Sequence, residues 1–131
     1  MCREFKLAAV AYNPLAGGLL TGKHQGESPQ PGTRFDRMPA YRDRYWYPGN
    51  FEAVRDLAAT AQSAGRSLVS LALGWLLHHT PVDGVILGAS SREQLEQNLA
   101  AAADGPLSPD LVAACDRVWE NVRGVAPQYH R

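Results

Sequence analysis

Two short apolar runs, residues 5–12 and 84–88, constrain this chain most. The first, Phe-Lys-Leu-Ala-Ala-Val-Ala-Tyr, stops at Asn13-Pro14, and Pro14 disfavours helical geometry at Asn13. Alanine is a poor strand former, so length and boundary rather than propensity make this run a strand. The second is Gly84-Val85-Ile86-Leu87-Gly88. Neither run alternates with polar residues, which suits strands buried on both faces of a parallel sheet. Parallel neighbours require a long crossover, usually helical, so the chain is expected to be α/β and built from βα units.

Four helical patterns supply the covering layer. Phe51, Val54, Leu57, Ala58 and Ala61 form one stripe, with Asn50 expected as N-cap and Gly65 at the end. Residues 68–77 are apolar almost all round and must be covered on most sides. Leu95, Leu99 and Ala102 stripe a third helix that ends near Asp104-Gly105-Pro106. Leu111, Cys115, Val118 and Val122 stripe a fourth, with Ser108 as cap and Pro109 at its first position.

Between the first strand and these helices lies a segment rich in glycine, proline, arginine and aromatics, from about Asn13 to Asn50. That is too long for an ordinary connection, and its aromatics argue against simple disorder, so it is expected to act as a functional lid or belt. Thirteen basic residues balance thirteen acidic ones, which leaves no basic field for nucleic acid. No window approaches the roughly 18–20 apolar residues of a membrane span, and the opening residues do not resemble a secretory signal. Cys2 and Cys115 make no disulfide framework, so a reduced, cytoplasmic setting is expected, with both acting as small hydrophobes.

Three places could carry chemistry. At Gly88-Ala89-Ser90-Ser91-Arg92 a strand ends in glycine and serines open a helix. Ser90 with Glu93, or Ser91 with Gln94, fits a capping box. Such a helix start offers backbone N–H groups and a positive dipole end to a phosphate, with Arg92 adding a full charge. Gln94 and Asn98 share a helix face from which they could reach a base or ribose; an ordinary capped helix is the alternative. The second place is Tyr12-Asn13-Pro14-Leu15-Ala16-Gly17-Gly18-Leu19-Leu20-Thr21-Gly22-Lys23, where Thr21 and Lys23 offer a hydroxyl and a cation to phosphates. Its glycines permit close backbone approach, though the spacing is not that of a P-loop and a plain flexible turn remains open. The third, residues 41–47, alternates aromatics with arginines, suited to an anionic or planar substrate, to single-stranded nucleic acid (which the neutral net charge disfavours), or merely to pinning a surface loop. His78-His79 is no metal pair, because adjacent helical side chains point about 100° apart. These histidines are expected to meet helix-end carbonyls or the dipole.

Taken together and in order, these segments resemble the C-terminal part of an aldo-keto reductase, in particular the aflatoxin-aldehyde and succinic-semialdehyde reductase branch. The resemblance rests on residues 11–23, Thr33-Arg34-Phe35, Tyr41-Arg42-Asp43-Arg44, Leu71-Ala72-Leu73-Gly74-Trp75, residues 85–91 and Gln94-Leu95-Glu96-Gln97-Asn98, and it continues to Tyr129 and Arg131. It implies the last two βα units and C-terminal helices of a (β/α)8 TIM barrel, with residues 1–131 forming a partial barrel domain. It implies NADPH as cofactor and aldehyde reduction by hydride transfer. Tyr12 would stack on the nicotinamide, residues 13–23 would wrap the pyrophosphate, and Arg34 would touch the cofactor. Gly88, Ala89, Ser90, Ser91, Arg92, Gln94 and Gln97 would hold the 2′-phosphate and ribose, with Asn98 beside the adenine. Tyr41, Arg44 and Arg131 would face the substrate, where guanidinium groups suit an acidic aldehyde.

Two departures qualify the resemblance. A basic residue often stands at the position of Gln94, so here Arg92 would have to secure the preference for NADPH over NADH. The family's tyrosine acid, its lysine, its aspartate and its histidine all lie in earlier strands of the barrel. The only lysines here are Lys6 and Lys23, and neither stands in that context. A barrel of this kind needs about 250 residues, so 131 residues are roughly half of one. Without a proton donor at the carbonyl oxygen, the chain alone is expected to lack reductase activity. It is also expected to fold poorly or to complete its sheet as a homodimer, or with the missing N-terminal half of the barrel. The alternative is a non-enzymatic nucleotide-binding or association module.

Overall fold

The structure is a computed structural model that describes residues 1–25 and 28–123. Strand β1 (Val10–Tyr12) pairs in parallel with β2 (Gly84–Ile86), in the register Val10 to Gly84, Ala11 to Val85 and Tyr12 to Ile86. Asp83 extends the pairing: its Oδ2 accepts from Ala9 N–H and its own N–H donates to the Ala9 carbonyl, each at 2.7 Å. The expected crossover joins the strands, but both are shorter than the apolar runs and they are not buried on both faces. Side chains alternate across a strand, so Val10, Tyr12 and Ile86 share one face, and all three are exposed. Ala11 and Val85, on the other face, are half-buried.

The segment from Asn13 to Asn50 is not an open loop. It holds a 3-10 turn at Ala16–Thr21 and two short helices, α1 (Arg34–Arg37) and α2 (Pro39–Tyr45). Met38 stays extended between them, and Pro39 takes the first position of α2, where its missing N–H costs nothing. Fully buried Phe35 organises the segment, meeting the rings of His24, Tyr41, Tyr45 and Trp46. Pro48 likewise starts α3 (Pro48–Ser63), displacing Asn50 from the expected cap into the helix, where its Nδ2 donates to the Tyr45 carbonyl at 2.9 Å. Gly65 follows the end of α3 as expected.

Local signals hold for the remaining helices. Ser67 caps α4 (Leu68–His79), Ser91 caps α5 (Arg92–Ala103) and Ser108 caps α6 (Pro109–Val122), each accepting from a backbone N–H three residues on. Such a cap contributes about 1 kcal/mol. The apolar α4 is covered by α3 and α5, and α6 packs on α3. Ala61, Leu71, Leu107 and Cys115 make one core cluster, while Leu19, Phe35 and Val54 make another; Leu68 packs against both. Burial, with Asp116 adding to it, pushes the Cys115 thiol up, so it remains a protonated hydrophobe.

Two features here have no sequence signal. Arg66 donates to the carbonyls of Asp104, Gly105 and Pro106 at 3.0–3.2 Å, fixing the chain as it leaves α5. Gly74 lets that same bend approach α4, since a Cβ there would stand 3.0 Å from Leu107 Cδ2. One expectation fails. Leu95 and Leu99 are exposed, and α5 instead turns Asn98 and Ala101 inward. Of the two roles expected for the histidines, His79 does not donate to a carbonyl, since its Nε2 accepts from Leu107 N–H at 3.1 Å, while both histidines do stand in the last turn of α4, at its dipole end.

Candidate functional site

Because the strands are parallel and Tyr12 stands beside Ile86, the segments that follow them emerge at one edge of the sheet. One begins at Asn13, the other at Leu87-Gly88. This is the geometric core of the candidate site.

The first segment is a strained turn. Asn13, Ala16, Gly17 and Gly18 all have positive φ, at 58°, 49°, 71° and 104°. For an alanine that conformation costs about 1–2 kcal/mol. Asn13 stabilises it: its Oδ1 accepts from Gly17 N–H and its Nδ2 donates to the Tyr45 hydroxyl, both at 2.8 Å. The Asn13 amide therefore ties the turn to α2. Thr21 Oγ1 donates to the Gly18 carbonyl at 2.8 Å, and Leu19 is buried in the core. Pro14, Leu15, Ala16 and Leu20 are half-buried, and Gly22 ends the turn with a left-handed backbone.

The two glycines differ. A Cβ on Gly17 would lie 2.7 Å from Tyr41 Cδ1. A Cβ on Gly18 would make only ordinary van der Waals contact, with Lys23 Nζ at 4.0 Å and His24 Nε2 at 3.9 Å. Gly17→Ala is accordingly expected to strain the backbone and displace Tyr41, costing about 2–3 kcal/mol from the left-handed penalty and the overlap together. Urea denaturation checks this; Gly18→Ala meets no short contact, but its φ of 104° lies outside the left-handed well, so backbone strain alone should make it destabilising too.

Tyr41 lies between the turn and two guanidinium groups. Arg34 stands 5.1 Å from its ring centre and its Nη1 donates to the hydroxyl at 3.4 Å; Arg44 stands 5.7 Å from the same ring and 5.9 Å from that of Tyr45. Arg34 is exposed, whereas Arg44 is buried among the rings. The aromatics of residues 41–47 thus pin their segment to the body. Arg131 lies outside the described residues.

In the second segment Gly88, Ala89, Ser90, Ser91, Arg92, Gln94 and Gln97 are all exposed. Part of the helix start is satisfied from within the chain. Ser91 caps it, and Gln94 Oε1 accepts from both Ser90 N–H and Ser90 Oγ at 3.0 and 2.9 Å. The backbone N–H of Glu93 and the Ser91 hydroxyl hold the Glu93 carboxyl below the usual carboxylate range, so a negative charge already sits there. Arg92 Nε meets Glu96 Oε1 at 2.8 Å, with 85% of the arginine side chain exposed. A surface pair of this kind contributes well under 1 kcal/mol, about 0.3–0.5, so a phosphate could readily take the guanidinium. Asn98 is buried with its Nδ2 3.5 Å from the Gly88 carbonyl, placing it under the strand end and not on the exposed face of Gln94.

The sequence did not single out His24, which lies fully within the aromatic cluster beside the turn. No periodicity or motif marks it. Among the described residues no group of three or more His, Cys, Asp or Glu side chains could hold a metal ion, and no helix is long and apolar enough to cross a membrane.

Residues 1–120 match the Aldo/keto reductase family. The chain is 44% identical over 144 aligned positions to aflatoxin B1 aldehyde reductase member 2 of Rattus norvegicus, covering 98% of this chain and 39% of that protein. It is likewise 44% identical to aldo-keto reductase family 7 member A3 of Homo sapiens, covering 98% of this chain and 44% of that protein. A solved glycerol dehydrogenase from Gluconobacter oxydans superposes with a TM-score of 0.72 at 22% identity, over 98% of this chain and 38% of its own. The chain thus spans about two-fifths of the length of the curated relatives it matches.

Proposed function

This chain belongs to the aldo/keto reductase family, and on that premise we propose that residues 1–131 are a partial barrel domain that holds NADPH for the reduction of aldehydes. The fold is the C-terminal portion of a (β/α)8 barrel. The observation that carries the reading is the shared edge: parallel β1 and β2 deliver a glycine turn and a serine-capped helix side by side, where barrels place their sites.

The residues suit the cofactor. Gly18 has no Cβ to hold a ligand off its backbone, and the Lys23 ammonium beside it would meet pyrophosphate oxygens. Exposed Arg92, with Ser90 and Ser91, meets the 2′-phosphate once Gln94 yields the Ser90 donors. Gln97 reaches the ribose; Asn98 acts from beneath the strand end, supporting the adenine side of the site. Tyr12 at the end of β1 is 59% exposed and offers a ring face to the nicotinamide. NADPH, when bound, supplies the hydride. Arg34, exposed beside the Tyr41 hydroxyl, would touch the cofactor; Tyr41 forms the wall towards an aldehyde, and Arg44, held over the rings, makes that wall positive, which favours an acidic aldehyde. The only lysines of the chain, Lys6 and Lys23, do not stand in the family's catalytic context, so the proton for the carbonyl oxygen comes from elsewhere in a completed barrel. The exposed face of Val10 and Ile86 is where the further strands, or a second copy, would sit. The setting is cytoplasmic, consistent with two free cysteines.

Fluorescence titration and an aldehyde-reduction assay test this. The expected result is saturable NADPH binding weaker than micromolar, weakened further in Arg92→Ala, and no turnover. Turnover by the chain alone would overturn the assignment of the proton donor. Failure to bind NADPH at millimolar concentration would leave the association-module reading in its place.

A further inference from the structure

His24 is 3% exposed, and neither Nδ1 nor Nε2 has a hydrogen-bond partner. Its ring stands edge-on to Phe35 at 4.9 Å and to Trp46 at 5.5 Å. On the turn side, His24 Nε2 and Lys23 Nζ stand at van der Waals distance from where a Cβ on Gly18 would be, 3.9 and 4.0 Å. On the other side lies a cavity of about 650 Å³, walled by His24, Trp46, Phe51, Glu52 and Arg55 among others. A buried polar group without a partner costs about 1–3 kcal/mol. A phenyl ring would fill the same cage without that cost; what the imidazole adds is a site for a proton.

We propose that His24 is a positioning residue for the glycine turn: neutral, it packs between Phe35 and Trp46 and holds Lys23 and Gly18 in place; on taking up a proton it leaves the cage for the Glu52-lined cavity and loosens the turn. The inference rests on the reading that this turn holds cofactor phosphates.

The charged groups around the ring decide the direction. Lys23 repels an imidazolium from the turn side. Arg34 of α1 and Arg44 of α2 are both engaged over the Tyr41 ring, which packs on Phe35, and neither is a counterion. From α3, Arg55 and Glu52 face the cavity, and Glu52 is the carboxylate towards which a charged ring would move. Attraction of an imidazolium to the two aromatic rings is worth about 0.5–2 kcal/mol, less than the several kcal/mol needed to desolvate it. Burial, with Lys23 adding to it, holds the His24 pKa below 6.5. In the opened turn the ring titrates near its ordinary value. The closed turn therefore has full stability above about pH 6.5. It loses stability as pH falls from there towards the lowered pKa of the caged ring.

Nuclear magnetic resonance of the 131-residue chain, labelled on histidine and glycine, reads this directly. The His24 ring is expected to titrate below its ordinary midpoint, and the amides of Gly17 and Gly18 to move with that same midpoint. In His24→Phe those amides should stay still over the same range. Glycine amides that ignore the His24 midpoint in the unmodified chain overturn the proposal, and that comparison needs no variant to fold. Calorimetry with NADP⁺, which survives acid, separates the proposal from the cofactor reading. The 2′-phosphate titrates in the same range in both proteins, so the difference between them carries the result. Affinity should fall about three- to tenfold more in the unmodified chain than in His24→Phe on acidification. Equal losses overturn the role of His24 with the cofactor reading intact. Coupled amides without NADP⁺ binding at any pH retain the latch and overturn the cofactor reading.

Discussion

Truncation of Phe35 to alanine is expected to cost about 3–5 kcal/mol and to release residues 13–47 from the body while leaving α4 to α6 in place. The ring is wholly inaccessible and is met edge-on by His24, Tyr41, Tyr45 and Trp46 at 4.9–6.5 Å. Each such pair is worth about 0.5–1.5 kcal/mol beyond area burial. The second core, built on Ala61, Leu71, Leu107 and Cys115, shares only Leu68 with this one. Loss should therefore be local. Urea unfolding followed by tryptophan emission should show an early transition from Trp46 in Phe35→Ala, with the far-ultraviolet helical signal of α4 to α6 lost later. Phe35→Leu, which retains most of the volume, should cost about 1–2 kcal/mol. A cost below 1 kcal/mol for the alanine variant would mean that the ring cluster does not organise the segment. Cofactor affinity should fall with the segment, because the Asn13 bond to Tyr45 holds the turn only while α2 is docked.

What could be read in the sequence was local or carried by several motifs in order. Ser108-Pro109 and Ser91 announce their helices because a cap depends on residues three apart. The parallel pairing of two apolar runs follows from the helices between them. What escaped depends on what stands opposite in space. Leu95 and Leu99 form a good stripe, but which side of α5 is covered is decided by α4, and that side holds Asn98 and Ala101. The short helices around Pro39 were hidden in a segment whose glycines and prolines suggested an open belt. At the site, the stretches 12–23 and 88–98 were legible as backbone. The internal engagements of Asn13, Gln94 and Asn98 were not, since each depends on a partner's exact orientation. His24 could not be found without Phe35 and Trp46 around it.

The sheet carries the other large expectation. With Val10, Tyr12 and Ile86 on one uncovered face at 57–60% exposure, and each strand paired on one side only among the described residues, the sheet presents both apolar surface and unsatisfied edges. Burying each such side chain contributes about 1.5–3 kcal/mol, and open strand edges template further pairing. As a 131-residue polypeptide the chain is expected to self-associate, with sedimentation showing dimers or larger species whose proportion rises with concentration. Val10→Lys with Ile86→Lys should shift it to monomer without unfolding the helices, because neither side chain is part of either core cluster. Charge on the face opposes stacking, while Ala11 and Val85 still anchor the strands from the other side. A compact monomer of the unmodified chain with cooperative unfolding would sink this expectation, and it would mean that two strands and their helices suffice for what a barrel ordinarily does with eight. Association that survives both lysines would instead locate the contact at the strand edges, where backbone pairing is indifferent to the side chains above it.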